Sequence, residues 1–169
     1  FGIFFTIRLF LKKTEKSRQS CFVRSTIQQE AGTRFGMSSK SIMNNLQKLY
    51  EAGLITYHRT DNVNLSSEFI EKIKEYVNTK YGADYFKERI YKSKVKCAQE
   101  AHEAIRPTNL EKKTLNDSFD EYQKKIYNLI WKRTVASQMA NAVYDSYIIT
   151  IHISKSKYKF ECKFEKLLF

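Results

Sequence analysis

Between Ser25 and Asp61 the chain carries a run of signals that few local folds can satisfy together. Ser25 or Thr26 can cap a short helix over residues 26–31, and Gly32 and Gly36 bracket its end. Ser38 or Ser39 opens a second helix. Its Ile42, Met43, Leu46, Leu49 and Tyr50 recur at three- and four-residue spacing, which makes one apolar face. Gly53 closes that helix and releases the chain into Leu54, Ile55, Thr56 and Tyr57, a short run rich in β-formers. Helix, tight turn, helix, then strand is the order of a helix-turn-helix with a wing. The Met and Leu stripe on the second helix reads as core packing.

On a strand, residues two apart share a face, so Tyr57 and Arg59 project together while Thr56 and His58 point the other way. A phenol beside a guanidinium suits a phosphodiester. Tyrosine can attack phosphorus as a covalent nucleophile, and arginine can grip the phosphate oxygens in a bidentate manner as charge builds. The competing reading is a surface tyrosine and a phosphate-holding arginine on a DNA-binding wing, without chemistry.

The charge balance narrows the partner. Thirty Lys and Arg stand against 18 Asp and Glu, a formal net charge of +12, which points to a polyanion: nucleic acid first, an acidic membrane surface second. The first fifty residues hold 9 of the basic residues and only 2 of the acidic ones. Hydrophobic content of 42%, with 14% aromatic, fills a real core and excludes a disordered chain. Cys21, Cys97 and Cys162 are widely spaced and form no CxxC pair, so a zinc site is not expected and a reducing, intracellular compartment is. The apolar opening, residues 1–11, is interrupted by Arg8 and falls short of the about 20 residues that span a bilayer. No membrane partner is expected, and the chain reads as a piece of a longer protein.

Residues 12–20 read as a polar, basic linker or arm. Ser66, with Glu68 in the first turn and Leu65 packing on Ile70, starts a third helix that keeps its period through Phe69, Ile73, Val77 and Tyr81. A turn, a short extended run at Ile90 and Tyr91, and a basic loop with Lys92, Lys94 and Lys96 follow. Residues 98–106 (AQEAHEAIR) form a strong helix-former that Pro107 stops. Ser118 and Glu121 have capping-box spacing before a long amphipathic helix in which Trp131 anchors packing. Residues 147–154 and 157–165 then alternate with period 2. Tyr158, Phe160, Cys162 and Phe164 share one face of the second run, as in a half-buried antiparallel hairpin with one wet face.

Four of these segments, in order and spacing, resemble the tyrosine-bearing region of type IA DNA topoisomerases: residues 25–31 (STIQQEA), 53–61 (GLITYHRTD), 99–108 (QEAHEAIRPT) and the long helix with LIWKR and ASQM. The resemblance covers about residues 22–168, and the extended QEAHEAIRPT form is closer to bacterial topoisomerase I than to topoisomerase III. The YHRTD run is also similar to reverse gyrases. The family usually has Met at His58, Ser at Asn62, Thr at Arg24 and Pro at Cys21.

The resemblance implies an α+β fold: a mainly helical, winged-helix, CAP-like catalytic domain, then a long helix and an antiparallel hairpin of the adjoining arch domain. The corresponding segments are 1–20 (poorly matched), 21–115 and 116–169. It implies that Tyr57 cleaves one DNA strand to a 5′-phosphotyrosyl bond and a free 3′-hydroxyl, that Arg59 holds the scissile phosphate, and that His102 hydrogen-bonds phosphate or relays a proton. Met37, Gln47 and Glu51 match DNA-proximal positions. Magnesium would be bound by an acidic Toprim domain whose Asp-x-Asp-x-Glu hallmark does not occur here; ATP is not needed. The expected substrate is single-stranded or negatively supercoiled DNA, and the expected partner is the rest of the same polypeptide, without which this stretch is not expected to relax DNA. The alternatives are a non-catalytic winged-helix DNA-binding module and a degenerate fragment that folds poorly.

Overall fold

The computed structural model describes residues 4–92 and 102–168, and its architecture is α+β. The chain divides into two compact units, Phe1–Ser17 with Asn141–Phe169, and Arg18–Ala140.

The first unit is a three-stranded antiparallel sheet of order β1-β2-β3, with β1 (Phe5–Lys16), β2 (Ala142–Ile153) and β3 (Lys159–Leu167). Phe5 pairs with Ile153 and Lys16 with Ala142, while Tyr144 pairs with Leu167 and His152 with Lys159. Residues 5–16 are thus a strand, which takes up residues 12–16 of the stretch expected to be a linker or arm. Their apolar side chains fall on both parities (Phe5, Ile7, Leu9, but also Phe10), which blurs the period-2 signal. The hairpin is formed as expected, but β3 is exposed on both faces within this chain, and so is nearly all of β1. Only the central strand covers anything, at Ala142, Ser146 and Thr150.

The second unit is helical: α1 (Arg24–Phe35), α2 (Ser39–Glu51), α3 (Ser67–Lys80) and α4 (Glu121–Ser137), with a short 3-10 turn at Ala83–Tyr85. Ser38 caps α2 by accepting from Ser41 N–H. The start of α1 lies two residues earlier than the sequence signals, and the Thr26 hydroxyl there accepts from Val23 N–H. The capping box of α4 is Asp120 with Gln123, two residues past the Ser118 frame: each side chain accepts from the other's backbone N–H. Asp120 also brings a negative charge to the helix N-terminus.

Helix α4 serves both cores of this unit. Ile126 and Ile130 join Phe22, Ile27, Ile42, Leu46, Leu49, Ile55 and Ile105, whereas Trp131 and Val135 join Phe69, Ile73, Tyr76 and Leu110. Trp131 donates its indole N–H to Leu110 O at 2.8 Å, so burial costs that group no hydrogen bond. The segments 21–115 and 116–169 therefore cut between α4 and its packing partners; the compact unit runs on to Ala140. Its two ends are clasped together, since Arg18 Nε donates to Ala140 O at 2.8 Å.

Two further expectations are corrected. No wing strand follows Gly53; Ile55 makes a single antiparallel bridge, to Pro107. The described part of the 98–106 segment is not helical but extended, with Ile105 bridging Phe22. Residues 98–101, Lys94, Lys96 and Cys97 lie outside the described residues. Helix propensity is a weak prior, and two non-local pairings override it here.

Gly53 sets the exit from α2. Its φ is +68°, its N–H reaches Tyr50 O at 2.8 Å, and Leu54 N–H reaches Leu49 O at 3.0 Å. An added Cβ would meet nothing within 4 Å, so the cost of a side chain there is backbone strain alone. Gly53→Ala is expected to destabilise the chain by about 1–2 kcal/mol, read from the midpoint of a urea melt.

Candidate functional site

Beyond Gly53 the chain is zipped onto residues 104–108. Thr56 N–H donates to Arg106 O at 2.9 Å and Thr108 N–H to Leu54 O at 3.0 Å. The Thr56 hydroxyl donates to Ala104 O and accepts from Arg106 N–H, while the Thr108 hydroxyl closes the far end on Gly53 O. Leu54 and Ile55 are buried in the core below. Residues 57–60 then alternate without a ladder: Tyr57 is 38% exposed, His58 0%, Arg59 is exposed and Thr60 is 4% exposed. Exposure thus alternates over these four residues although they form no strand.

Three rings surround the phenol. Tyr50 meets it edge-on at 5.4 Å between centroids, His58 edge-on at 5.6 Å, and His102 tilted at 5.6 Å. His102 comes from the segment that the zipper carries, and its own carbonyl accepts from Asn62 Nδ2 at 2.6 Å. Beside it, Glu103 and Arg106 pair at 2.6 Å, Ser66 N–H donates to Glu103, and the Arg106 guanidinium lies 3.8 Å over the Phe69 ring. Burial pushes the Glu103 carboxyl up, but the Arg106 hydrogen bond and charge, with the Ser66 N–H, outweigh it and hold the group below its ordinary value.

Tyr57 and His102 meet ring to ring beside Tyr50 at the C-terminal turn of α2, and Arg59 is exposed two residues beyond Tyr57. Gln47 and Glu51 lie on that turn, joined by a 2.7 Å hydrogen bond. Met37 does not join them. It is 9% exposed, packed in the core at the start of α2, about 20 Å along the helix from its C-terminus. Tyr50, which periodicity assigns to the core stripe, is 40% exposed and packs on Tyr57 instead. Arg59 is exposed and makes no ion pair among the described residues.

His58 is the most constrained group. It is buried between Tyr50 and Tyr57, and neither ring nitrogen has a hydrogen-bond partner among the described residues. Burial, and then the charge of Arg59, push its pKa below the ordinary value; Glu51 opposes them more weakly. A neutral imidazole therefore backs the phenol. Among the described residues no three His, Cys, Asp or Glu gather to hold a metal ion. None of the described helices is long and apolar enough to cross a membrane.

The DNA topoisomerase family model matches residues 5–169. Over 145 residues the chain is 52% identical to "DNA topoisomerase 1 type prokaryotic" of Acanthamoeba polyphaga mimivirus, covering 85% of this chain and 17% of that protein. It is 43% identical over 159 residues to DNA topoisomerase 1 of Rickettsia bellii, covering 87% of this chain and 20% of the relative. Among solved structures, full-length topoisomerase I from Thermotoga maritima superposes with a TM-score of 0.78 at 30% identity, over 98% of this chain and 28% of that one. The chain spans about a fifth of the length of these curated relatives.

Burial of His58 has a pH signature. The folded chain resists a proton that the unfolded chain accepts, so the stability tied to this ring is fully present above the ordinary imidazole value of 6.5. It is lost as pH falls through the depressed folded value. His58→Met is expected to shrink the drop in melting temperature between about pH 7.5 and about pH 5. An unchanged drop would assign the acid sensitivity to another group.

Proposed function

The chain belongs to the type IA, bacterial-type DNA topoisomerase family, and we propose that it carries the strand-cleaving tyrosine of such an enzyme, with Tyr57 as the nucleophile. The observation that carries this reading is the half-exposed Tyr57 phenol, ringed by His58, His102 and Tyr50, with an exposed Arg59 two residues along the chain. Tyr57 Oη attacks the phosphorus of one DNA strand. The new O–P bond forms as the bond to the 3′ oxygen breaks, giving a 5′-phosphotyrosine and a free 3′-hydroxyl. The phenol proton leaves to a base, and the departing 3′ oxygen takes up a proton; His102 is the candidate to relay one of them. A second strand passes, and the 3′-hydroxyl reverses the step. The phosphotyrosine retains the energy of the phosphodiester, so ATP is not required.

A free phenol has a pKa of about 10, so about one in a thousand is ionised at neutral pH. A cation at the scissile phosphate favours the attacking phenolate and neutralises the charge that builds on phosphorus; Arg59 fills that role. Gln47 and Glu51 would line the DNA beside the site. Met37 is a DNA contact only if the strand reaches the start of α2. The family uses Mg2+ generally. Its ligands would lie in a Toprim domain elsewhere in the same polypeptide, and no step above passes through the metal.

In this reading α1, the turn and α2 form a winged-helix-like frame whose wing is shortened to the Ile55–Pro107 bridge, and the three-stranded sheet belongs to the neighbouring arch. The complete enzyme would relax negatively supercoiled DNA in an intracellular, DNA-containing compartment.

The test is covalent trapping on end-labelled single-stranded DNA, with a Toprim domain and magnesium supplied, followed by denaturation. The wild-type chain is expected to give a labelled adduct and Tyr57→Phe none. Arg59→Ala is expected to slow adduct formation by about 100-fold. DNA binding without an adduct, with the added domain shown to dock, would instead identify a winged-helix module without chemistry.

A further inference from the structure

His102 reaches Tyr57 although no regular element carries it, so something else must fix its place. The segment 102–104 docks on residues 60–64. Asn62 Nδ2 donates to His102 O at 2.6 Å, and Ala104 N–H donates to Asn64 O at 2.9 Å. Asn62 is itself held at both ends. Its N–H donates to the buried Thr60 hydroxyl at 3.1 Å, and its Oδ1 accepts from Asn64 N–H at 2.9 Å. Thr60 is anchored in turn, because its carbonyl accepts from Arg24 N–H at the start of α1.

We infer that Asn62 is a positioning residue for the cleavage reaction: its carboxamide grips the His102 carbonyl and so holds the imidazole against Tyr57. The inference rests on the reading of Tyr57 as nucleophile and His102 as its helper. The geometry supports it in three ways. The carboxamide is used on both sides, one atom donating to His102 and the other accepting from Asn64, which leaves it little freedom to rotate. The bond lands on the His102 backbone carbonyl, so it fixes where the side chain starts without touching the ring nitrogens that chemistry needs. It also bridges two segments 40 residues apart, one bearing Tyr57 and the other His102, at the point where they face each other. Serine, the residue usual in the family, offers a single atom at a shorter reach and cannot donate and accept through two separated atoms.

Two variants separate positioning from bulk stability. Asn62→Ala removes both contacts. Asn62→Asp keeps the shape and the acceptor toward Asn64 but loses the donor toward His102. In the 169-residue chain, with cooperative melting shown for each, both are expected to weaken the nuclear Overhauser contact between the His102 and Tyr57 rings. In the trapping assay both are expected to slow adduct formation roughly tenfold with DNA affinity unchanged. Placed in a His102→Ala background, either variant is expected to add little, because the pair acts as one unit. Full additivity in that background, or ring contacts unchanged in both variants, would overturn the inference. If the wild-type chain forms no adduct, the nucleophile reading fails by itself, and the ring contact still decides whether Asn62 places His102.

Discussion

Two extended segments, 54–56 and 104–108, are pinned edge to edge by backbone hydrogen bonds and by the Thr56 and Thr108 hydroxyls, and the rest of the site inherits its geometry from that pairing. Below it, Ile55 and Ile105 enter the same apolar core as Leu46, Leu49 and Ile130. Above it the chain emerges with Tyr57 on one strip and His102 on the other. A short irregular pairing of this kind has few hydrogen bonds of its own, so its rigidity comes from the buried isoleucines that anchor both sides. The precision with which Tyr57 and His102 meet is in this way borrowed from a hydrophobic core.

The chemistry of the site follows from a division of exposure over four residues. Tyr57 and Arg59 are exposed, while His58 and Thr60 are buried. Of the buried pair, Thr60 is used for structure and accepts from Asn62. His58 contributes apolar bulk and edge contacts, with its charge suppressed by burial and by the neighbouring Arg59. The ring therefore sits under the phenol without adding a cation there.

What could be read from the sequence was what is encoded locally. The period of α2, its Ser38 cap and its Gly53 exit are set within one stretch of chain, and the alternation of residues 57–60 needs no partner to be inferred. What could not be read was set by distant pairing. Residues 102–106 have the composition of a helix, yet the Ile105–Phe22 bridge, with the Pro107–Ile55 bridge just beyond, draws this stretch straight. β1 is apolar on both parities and becomes a strand only against β2. Tyr50 sits on the edge of an apolar stripe, where a single turn of helix separates a core side chain from a site side chain. Asn62 carried one signal only, a departure from the family pattern; its partner at His102 lies too far along the chain for any local rule to find.

The clasp between Arg18 and Ala140 has a bearing on how the chain assembles. β1 and β2 are adjacent in the sheet, yet Lys16 and its partner Ala142 are separated by the whole helical unit. For an unstructured loop of that length the entropy of bringing the ends together is on the order of 4 kcal/mol. Once the helices have condensed, the Arg18 hydrogen bond holds the two exits side by side, and that cost has already been met. The sheet can then zip from Lys16 and Ala142 outward as a local event. The order of assembly would be helices first and strands second, with the contact order of the strand pairing collapsed by the fold that precedes it.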